Sequence, residues 1–342
     1  MTLIFAIESS CDETSASILE NNKVLSNIIS SQLFHKEYGG IVPELASRAH
    51  IKSIDKIVFR AFEKAGIDKK NIELIAATQG PGLIGSLLVG YNYGKAFSIA
   101  NKIPFIGVNH IESHLFSCFI GKSEIEFPFI SLVVSGGHTI LFLVTNYNEY
   151  KILGQTQDDA AGEAFDKTAK MLGLEYPGGP LIDKLAKTGN ENYHKFPIAN
   201  IKDNMYDFSF SGIKTSVLYF LKKTFGEDKT KLPLNDIAAS FQKAVVETLF
   251  QKTLLAAENN NVKIITVSGG VSANSKLRDK FKELENNGYK IFFPETQYST
   301  DNAAMIGYTA YLKYKYTDKK VLSSSLLEPA FARFDYENSK TG

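Results

Sequence analysis

The chain has 342 residues, which is long enough for two domains or for two lobes of one fold. Its composition, 44% hydrophobic and 22% charged with a net charge of +1, is that of a globular protein, so any nucleic-acid contact would need a local patch or a partner chain. Two cysteines exclude a disulfide framework, and no stretch approaches the ~18 apolar residues of a membrane span, so we expect a cytoplasmic protein.

Short apolar runs alternate with helical patterns along the first third of the chain. Three consecutive strands, which we predict to form a meander, precede a helix, a strand, a second helix, another strand and a histidine-bearing helix. The predicted strands are 3–7, 16–19, 24–30, 74–78 and 105–108, and the first two predicted helices are 45–66 and 86–100.

The same order of elements starts again after Pro128. The predicted strands are 130–134, 139–145, 151–155, 263–267 and 290–293, and the predicted helices are 163–172, 179–187, 213–223, 234–259, 272–287 and 301–316. This repetition predicts two related α/β lobes with a cleft between them. We assign 1–117 to the first lobe, with the last helix (about 300–325) packing back on it, 118–299 to the second, and 335–342 to a flexible tail.

His110 and His114 form the most informative pair in the sequence. On a helix they project from one face, so that both imidazoles can reach one metal ion. The spacing resembles the zincin signature His-Glu-x-x-His, but Ile111 follows the first histidine and the nearby carboxylate belongs to Glu112. A peptidase would therefore lack its general base. The alternative interpretation is an ordinary helix with polar caps or core histidines.

A third metal ligand would have to come from a distant part of the chain, and Asp301 is the candidate. Thr300 or Asp301 could instead be the N-cap of the last helix. Sequence spacing leaves both interpretations open.

Four turns that follow predicted strands, at 8–14, 79–85, 135–139 and 268–274, carry small, flexible or acidic residues. Glycines allow backbone N–H groups to approach phosphate oxygens, and open α/β sheets bind ligands at such strand ends, so these turns predict phosphate or nucleotide binding. None matches a P-loop or Rossmann fingerprint, and each alone could be a tight connection. Asp12 and Glu13, with Ser9 before them, could hold a cation, act as a base, or be solvated turn acids.

Acidic and hydroxyl side chains are dense in the middle of the chain. Glu163 and Asp166 share a helical face, and the turn 177–180 leads into a helix that carries Asp183. These groups could bind hydroxyls of a sugar or amino-acid moiety, and the segment 208–215 could bind an anion.

Taken together, these residues resemble the family of catalytic subunits of tRNA threonylcarbamoyladenosine synthase, once labelled O-sialoglycoprotein endopeptidases, in its bacterial form. The resemblance covers residues 3–333, with Ser9 and Ser113 where the family usually has Thr and Gly. The motifs that carry it are 8–14 (ESSCDET), 42–48 (VPELASR), 110–114 (HIESH), 134–139 (VSGGHT), 158–173, 177–180 (PGGP), 208–212 (FSFSG), 268–274 (SGGVSAN) and 300–304 (TDNAA).

The resemblance implies a two-lobed actin/hexokinase/heat-shock-ATPase-like fold with duplicated ribonuclease-H-like lobes and a nucleotide cleft. It implies transfer of the threonylcarbamoyl group from threonylcarbamoyl-AMP to N6 of adenosine 37, in tRNAs that read codons beginning with A, with release of AMP. It implies His110, His114 and Asp301 as ligands of one divalent metal ion, iron or alternatively zinc. The residues implied for the adenylate pocket are Val133, Val134, Ser135, Gly136, Gly137, Asp166, Gly179, Asp183 and Asn274.

Ser9, Asp12 and Glu13 are our catalytic candidates, with Asp12 or Glu13 as the base. Bacterial relatives act with a paralogous dimerisation partner and a small ATPase, so we expect these partners as well as tRNA, and the run 313–316 (KYKY) is a candidate tRNA contact or a solvated helix face. The rival functions are a metal-dependent glycoprotease, a small-molecule kinase of the same fold and a nucleotide-switched binding protein.

Overall fold

The computed structural model describes residues 1–122, 125–199, 201, 204–226, 232–317 and 326–333. The predicted tail at 335–342 and the end of the predicted 300–325 segment lie outside these residues. The chain divides into two units, one of Met1–Ile125 with Asn146–Glu149 and the residues from Pro294 onward, and one of Glu126–Thr145 with Tyr150–Phe293. The first unit thus continues eight residues beyond the proposed boundary at 117.

Strands and helices alternate much as the sequence predicts. The strands are β1 (Leu3–Glu8), β2 (Glu13–Glu20), β3 (Lys23–Ser31), β4 (Leu74–Gly80), β5 (Phe105–Asn109), β6 (Phe129–Val134), β7 (Thr139–Asn146), β8 (Glu149–Gln155), β9 (Ile264–Ser268) and β10 (Lys290–Phe292). The α-helices are α1 (Pro43–Ala65), α2 (Ile84–Asn101), α3 (His110–Ser117), α4 (Ala161–Met171), α5 (Gly178–Ala186), α6 (Ser211–Phe225), α7 (Leu234–Asn259), α8 (Ser275–Lys282) and α9 (Ala303–Tyr316). No helix among the described residues is long and apolar enough to cross a membrane.

Within the described residues, each unit contains one five-stranded sheet, and the two sheets have the same plan. The first sheet has the order β3-β2-β1-β4-β5, in which the β1–β2 and β2–β3 pairs are antiparallel and β4 lies parallel to β1 and β5. The second has the order β10-β9-β6-β7-β8, in which β6–β7 is antiparallel and β9 lies parallel to β6 and β10. The predicted meander and the predicted repetition of elements are therefore confirmed.

The two faces of the first sheet are covered by different helices, because side chains alternate along β1. Phe5 packs in the core beneath α1, with its ring 5.1 Å from that of Phe62, whereas Ala6 faces α9. At Gly307 a Cβ would collide with the side chain of Leu19 and crowd Ala6, so a glycine is needed there for α9 to approach the sheet closely. This close approach sets the position of the residues just before α9.

The start of the last helix differs from both N-cap interpretations. Asn302 is the cap, since its side-chain oxygen accepts a hydrogen bond from the backbone N–H of Met305 at 3.2 Å. The helix begins at Ala303, whose N–H donates to Ser15 Oγ at 2.9 Å. The side chains of Thr300 and Asp301 are therefore not used as the cap.

The single helix predicted over 272–287 is wrong. The structure has a 3-10 turn at Gly270–Ala273, then α8, then a second 3-10 turn at Glu283–Asn287. The physical reason lies at Asn274, whose extended backbone interrupts the helix and whose side chain caps α8 by accepting from Leu277 N–H at 3.0 Å.

Candidate metal centre and adjoining turns

The two histidines lie on α3, which begins directly at the end of β5. Asn109 caps this helix, because its side-chain oxygen accepts hydrogen bonds from the N–H groups of Ile111 and Glu112 at 2.9 and 3.2 Å. The cap fixes the first turn of α3, and His110 and His114 project from it with ring centroids 4.9 Å apart. Both rings are buried.

Asp301 meets the histidine pair across nearly two hundred residues of sequence. Its Oδ1 lies 3.5 Å from His110 Nε2 and 3.3 Å from His114 Nε2, and the carboxylate is partly exposed. One ligand atom from each of the three residues lies within 4.8 Å of the other two. The three residues are therefore close enough to hold one ion.

The surroundings of His114 test whether a metal fits. The residue is fully buried, and among the residues that the structure describes neither ring nitrogen has a hydrogen-bond partner. A buried polar atom without a partner costs free energy of about 1–3 kcal/mol. A cation bound to Nε2 would remove that cost there, and two imidazole nitrogens with one carboxylate suit Fe²⁺ or Zn²⁺. The residues fit the ion that the family resemblance implies.

Glu8 is the residue at this site that sequence reasoning missed. Its carboxylate is fully buried at the end of β1, and it accepts hydrogen bonds from Ser10 N–H and, at 2.6 Å, from the Thr78 hydroxyl. Glu8 Oε2 also lies 3.1 Å from His110 Nδ1. The available signal was an acidic side chain that ends a buried strand and is also the first residue of the 8–14 turn already chosen as functional.

In the neutral form of the ring, which is the form that can bind a metal ion, the contact with Glu8 sets the tautomer of His110. An ionised carboxylate only accepts hydrogen bonds, so Nδ1 of His110 must carry the proton and Nε2 is left to face Asp301. Burial lowers the pKa of His110, but the carboxylates of Asp301 and Glu8 outweigh burial and raise it to about 9. Burial raises the pKa of Glu8, and the charge and hydrogen bond of His110 more than reverse this and lower it.

The catalytic candidate Ser9 is attached to α2 rather than to the histidine–aspartate cluster. Its buried hydroxyl donates to the carbonyl oxygen of Ser86 at 2.9 Å and accepts from Gly90 N–H at 3.1 Å. A Cβ on Gly90 would collide with this hydroxyl. These contacts pack the first turn against α2.

The other two catalytic candidates, Asp12 and Glu13, lie half-buried in the same turn. Burial raises the pKa of Glu13 well above its usual value, and the negative charges of Asp301 and Asp12 raise it further. The negative charge of Asp301 is therefore close enough to Glu13 to affect the pKa of its carboxyl.

His50 on α1 holds this turn, a role that the sequence did not reveal. Its Nε2–H donates to the carbonyl oxygen of Cys11 at 3.0 Å, and its Nδ1 lies 2.8 Å from the hydroxyl of Thr14. One buried imidazole therefore braces both ends of the segment that carries Asp12 and Glu13.

In the second unit, the polar residues implied for the adenylate pocket stabilise helix starts. Asp166 Oδ1 accepts from Gly178 N–H at 2.7 Å, at the beginning of α5, whose first turn also contains Gly179. Asp183 Oδ1 accepts from the N–H and the hydroxyl of Ser275, at 3.1 and 2.8 Å. The structure thus brings Asp183 next to the start of α8, where Asn274 is the cap.

The turn after β6 presents its backbone to solvent. Val133 and Val134 are buried in the strand, whereas Gly136 and Gly137 are exposed and have open space where a Cβ would lie. The same turn is closed by a hydrogen bond from Ser135 N–H to the carbonyl oxygen of His138 at 2.8 Å. Gly269, at a φ of +87°, packs against the backbone of Val134, which brings the β9 turn beside this one. Two of the four turns predicted to bind phosphate or nucleotide are therefore adjacent within the second unit.

Two aspartates in the acidic middle part of the chain bind other groups of the protein. Asp158 accepts from the N–H groups of Phe210 and Ser211, at 2.8 and 3.2 Å, at the start of α6. Asp159 binds Lys167 and Lys214 at 2.7 and 2.6 Å.

Glu112 does not stand directly after the first histidine, where the peptidase signature has its general base, and it has a partner of its own. It is buried on α3 and forms an ion pair of 2.7 Å with Lys313 on α9. Part of the run 313–316 is therefore not a solvated helix face.

Comparison with known proteins agrees with this architecture. Residues 23–308 match the family model described as tRNA N6-adenosine threonylcarbamoyltransferase. The chain is 51% identical over 329 residues to the protein of that name from Clostridioides difficile, covering 95% of this chain and 96% of the relative. It is 50% identical over 328 residues to the one from Thermosipho africanus, covering 95% and 98%.

Solved structures with low sequence identity share the fold alone. HypF from T. kodakarensis superposes with a TM-score of 0.65 at 13% identity, over 94% of this chain, which spans only 50% of HypF. The activator of 2-hydroxyisocaproyl-CoA dehydratase from Clostridium difficile, solved with ADPNP, gives 0.53 at 12% identity over 93% of this chain and 98% of the activator. These similarities confirm the predicted actin/hexokinase-like fold class.

Proposed function

The chain belongs to the tRNA N6-adenosine threonylcarbamoyltransferase family and is a transferase that forms threonylcarbamoyladenosine in tRNA, and we propose that His110, His114 and Asp301 form its metal centre. One observation carries this proposal: the buried ring of His114, whose nitrogens have no hydrogen-bond partner in the described part of the chain, lies against Asp301 and beside His110. When bound, the ion supplies Lewis-acid stabilisation of charge on the carbamoyl or phosphate oxygens of threonylcarbamoyl-AMP. Its donor set favours Fe²⁺, with Zn²⁺ as the alternative.

The bond changes of the transfer require a base more than an acid. The N6 nitrogen of adenosine bonds to the carbamoyl carbon, the bond from that carbon to the phosphate oxygen breaks, AMP leaves, and N6 loses a proton. Since phosphate is a good leaving group and the N6 amine a poor nucleophile, we assign the proton to Asp12 or Glu13. Glu8 holds His110 in the tautomer that leaves Nε2 towards the ion.

The second unit supplies the groups that we assign to the adenylate part of the substrate. The exposed glycine turn 135–137, with Val133 and Val134 before it, offers backbone N–H groups for phosphate. The side chains of Asp166 on α4 and Asp183 on α5 contact the starts of α5 and α8, where Gly179 and Asn274 lie. The carboxylate and amide oxygens of these groups can bind ribose hydroxyls.

The family name identifies tRNA as the class of acceptor. We expect adenosine 37 of tRNAs reading codons that begin with A, a cytoplasmic reaction, and assembly with a paralogous partner and a small ATPase. The glycoprotease alternative is not favoured, because Glu112 is paired with Lys313 and is not available as a peptidase base.

Mass spectrometry of tRNA nucleosides tests the function directly. Depletion of the chain should remove threonylcarbamoyladenosine, and expression of the wild-type chain should restore it while a His110→Ala, His114→Ala double variant should not. Undiminished threonylcarbamoyladenosine after depletion, in cells without a paralogue, would refute the proposal.

A further inference from the structure

Residues 326–333, here called the C-terminal strap, lie across the turn between β4 and α2. The carbonyl oxygen of Glu328 accepts hydrogen bonds from the Tyr91 hydroxyl at 3.1 Å and from Lys95 Nζ at 2.6 Å. Gln79 Nε2 donates to the carbonyl oxygen of Pro329 at 2.9 Å, and Phe331 N–H donates to the carbonyl oxygen of Gln79 at 3.0 Å. The strap is thus hydrogen-bonded to β4 and α2 through its main chain.

Two glycines show that no space separates the strap, the β4–α2 turn and the first turn. A Cβ on Gly80 would collide with the backbone and ring of Phe331, and a Cβ on Gly82 would collide with the backbone of Ser10. Gly82 N–H also donates to the carbonyl oxygen of Ala332 at 3.2 Å. Three backbone segments are therefore stacked, with the β4–α2 turn in the middle.

The innermost of the three segments is the one that supports the histidines. Leu83 N–H donates to the carbonyl oxygen of Ser10 at 2.8 Å, and the hydroxyl of Ser10 lies 3.2 Å from His110 Nδ1. Ser10 N–H in turn donates to Glu8, the carboxylate beside the same ring nitrogen. Displacement of the β4–α2 turn would therefore move the groups that orient His110.

We propose that the C-terminal strap is a positioning element of the metal centre, because it clamps the β4–α2 turn against Ser10 and so fixes the groups that hold His110. This inference rests on the proposed metal centre and adds to it a segment that contains none of the proposed ligands. The proposal predicts that the strap affects metal affinity, which a segment that only covers the end of β4 would not do.

Single substitutions in the full-length chain test the proposal. Phe331→Pro removes the N–H that donates to Gln79, whereas the matched control Phe331→Leu keeps it. Gln79→Met removes the side-chain donor to Pro329 and gives a second test if the proline variant does not fold. The two readouts are competition of Co²⁺ binding with a chelator, and hydrogen–deuterium exchange of the peptide containing residues 8–14.

We expect Phe331→Pro and Gln79→Met to weaken Co²⁺ binding about tenfold, as loss of outer-shell support commonly does, and to speed exchange in residues 8–14. Phe331→Leu should change neither readout by more than about twofold. Unchanged Co²⁺ affinity with unchanged exchange in both test variants would overturn the proposal. If the wild-type chain bound no Co²⁺, the metal centre itself would fail, and the exchange readout would still decide whether the strap fixes the first turn.

Discussion

The candidate site residues of the two units differ in whether their polar side chains have hydrogen-bond partners in the protein. In the second unit, Asp166 and Asp183 each accept hydrogen bonds from groups at a helix start, so a large part of their bonding capacity is used by the protein itself. In the first unit, the buried ring of His114 has no hydrogen-bond partner within the ranges that the structure describes, and it lies against the carboxylate of Asp301. The two units share a sheet plan but use these side chains differently. In the second unit they hold the backbone in place through hydrogen bonds. In the first unit a ligand would supply the partner that His114 lacks.

The largest expected effect comes from removing the unsatisfied side chain. His114→Ala should lower the rate of threonylcarbamoyl transfer at least about a hundredfold, the size usually seen when a preorganised charge stabiliser is lost. The rate can be measured with purified partners, threonylcarbamoyl-AMP and tRNA. His194→Ala, in the second unit, is the matched control and should keep its rate. A His114→Ala variant with wild-type activity would show that the unsatisfied ring of His114 does not contribute to catalysis.

The next effect should come from Glu8, which orients His110. Glu8→Gln keeps the size of the side chain and removes its charge, so we expect metal affinity to fall about 10–100-fold. Thr78→Val removes one hydrogen bond to Glu8 and should weaken the metal less. Chelator competition measures both. If Thr78→Val weakened binding more than Glu8→Gln, the charge of Glu8 would not be what orients the ring.

Glu112→Gln tests whether Glu112 stabilises the first unit without taking part in the reaction. Breaking its buried pair with Lys313 should lower the free energy of unfolding by about 1–3 kcal/mol, measured by urea denaturation. Metal content and transfer activity of the folded variant should stay near those of the wild type. Loss of activity without loss of stability would instead restore a chemical role for this carboxylate.

The smallest effect is expected in the second unit and depends on pH. Burial raises the pKa of Asp159, but hydrogen bonds from Lys167 and Lys214 outweigh burial and lower it. A lowered pKa in the folded state means that the stabilisation is present at neutral pH and is lost as the pH falls below about 4. Asp159→Asn should therefore cost about 1 kcal/mol at pH 7 and less at pH 3. An equal cost at both pH values, from urea denaturation, would argue that the charge of Asp159 does not matter.

Local patterns predicted most of the fold and two of the three proposed metal ligands. The spacing of His110 and His114 is a property of one helix, and it was readable from the sequence alone. The role of Asp301 remained ambiguous because a residue just before a helix is often its cap. The hydrogen bond from Met305 N–H to Asn302 excludes Asp301 as the cap.

What could not be predicted depends on contacts between residues distant in sequence. Glu8 and His110 are 102 residues apart, and their contact follows from the order of strands β1, β4 and β5 rather than from any local pattern. The break in the predicted 272–287 helix was missed because the sequence does not show whether Asn274 continues a helix or caps one. The structure shows that its side chain caps α8.

Titration of the metal-stripped chain with Co²⁺, followed by its visible absorption, tests the metal centre most directly. The wild-type chain should bind one ion with a spectrum typical of mixed nitrogen and oxygen ligands. Asp301→Ala should lose that spectrum, and Asp279→Ala, which changes an acid on α8 in the second unit, should keep it. Equal binding and an unchanged spectrum in Asp301→Ala would contradict the assignment of His110, His114 and Asp301 to one ion.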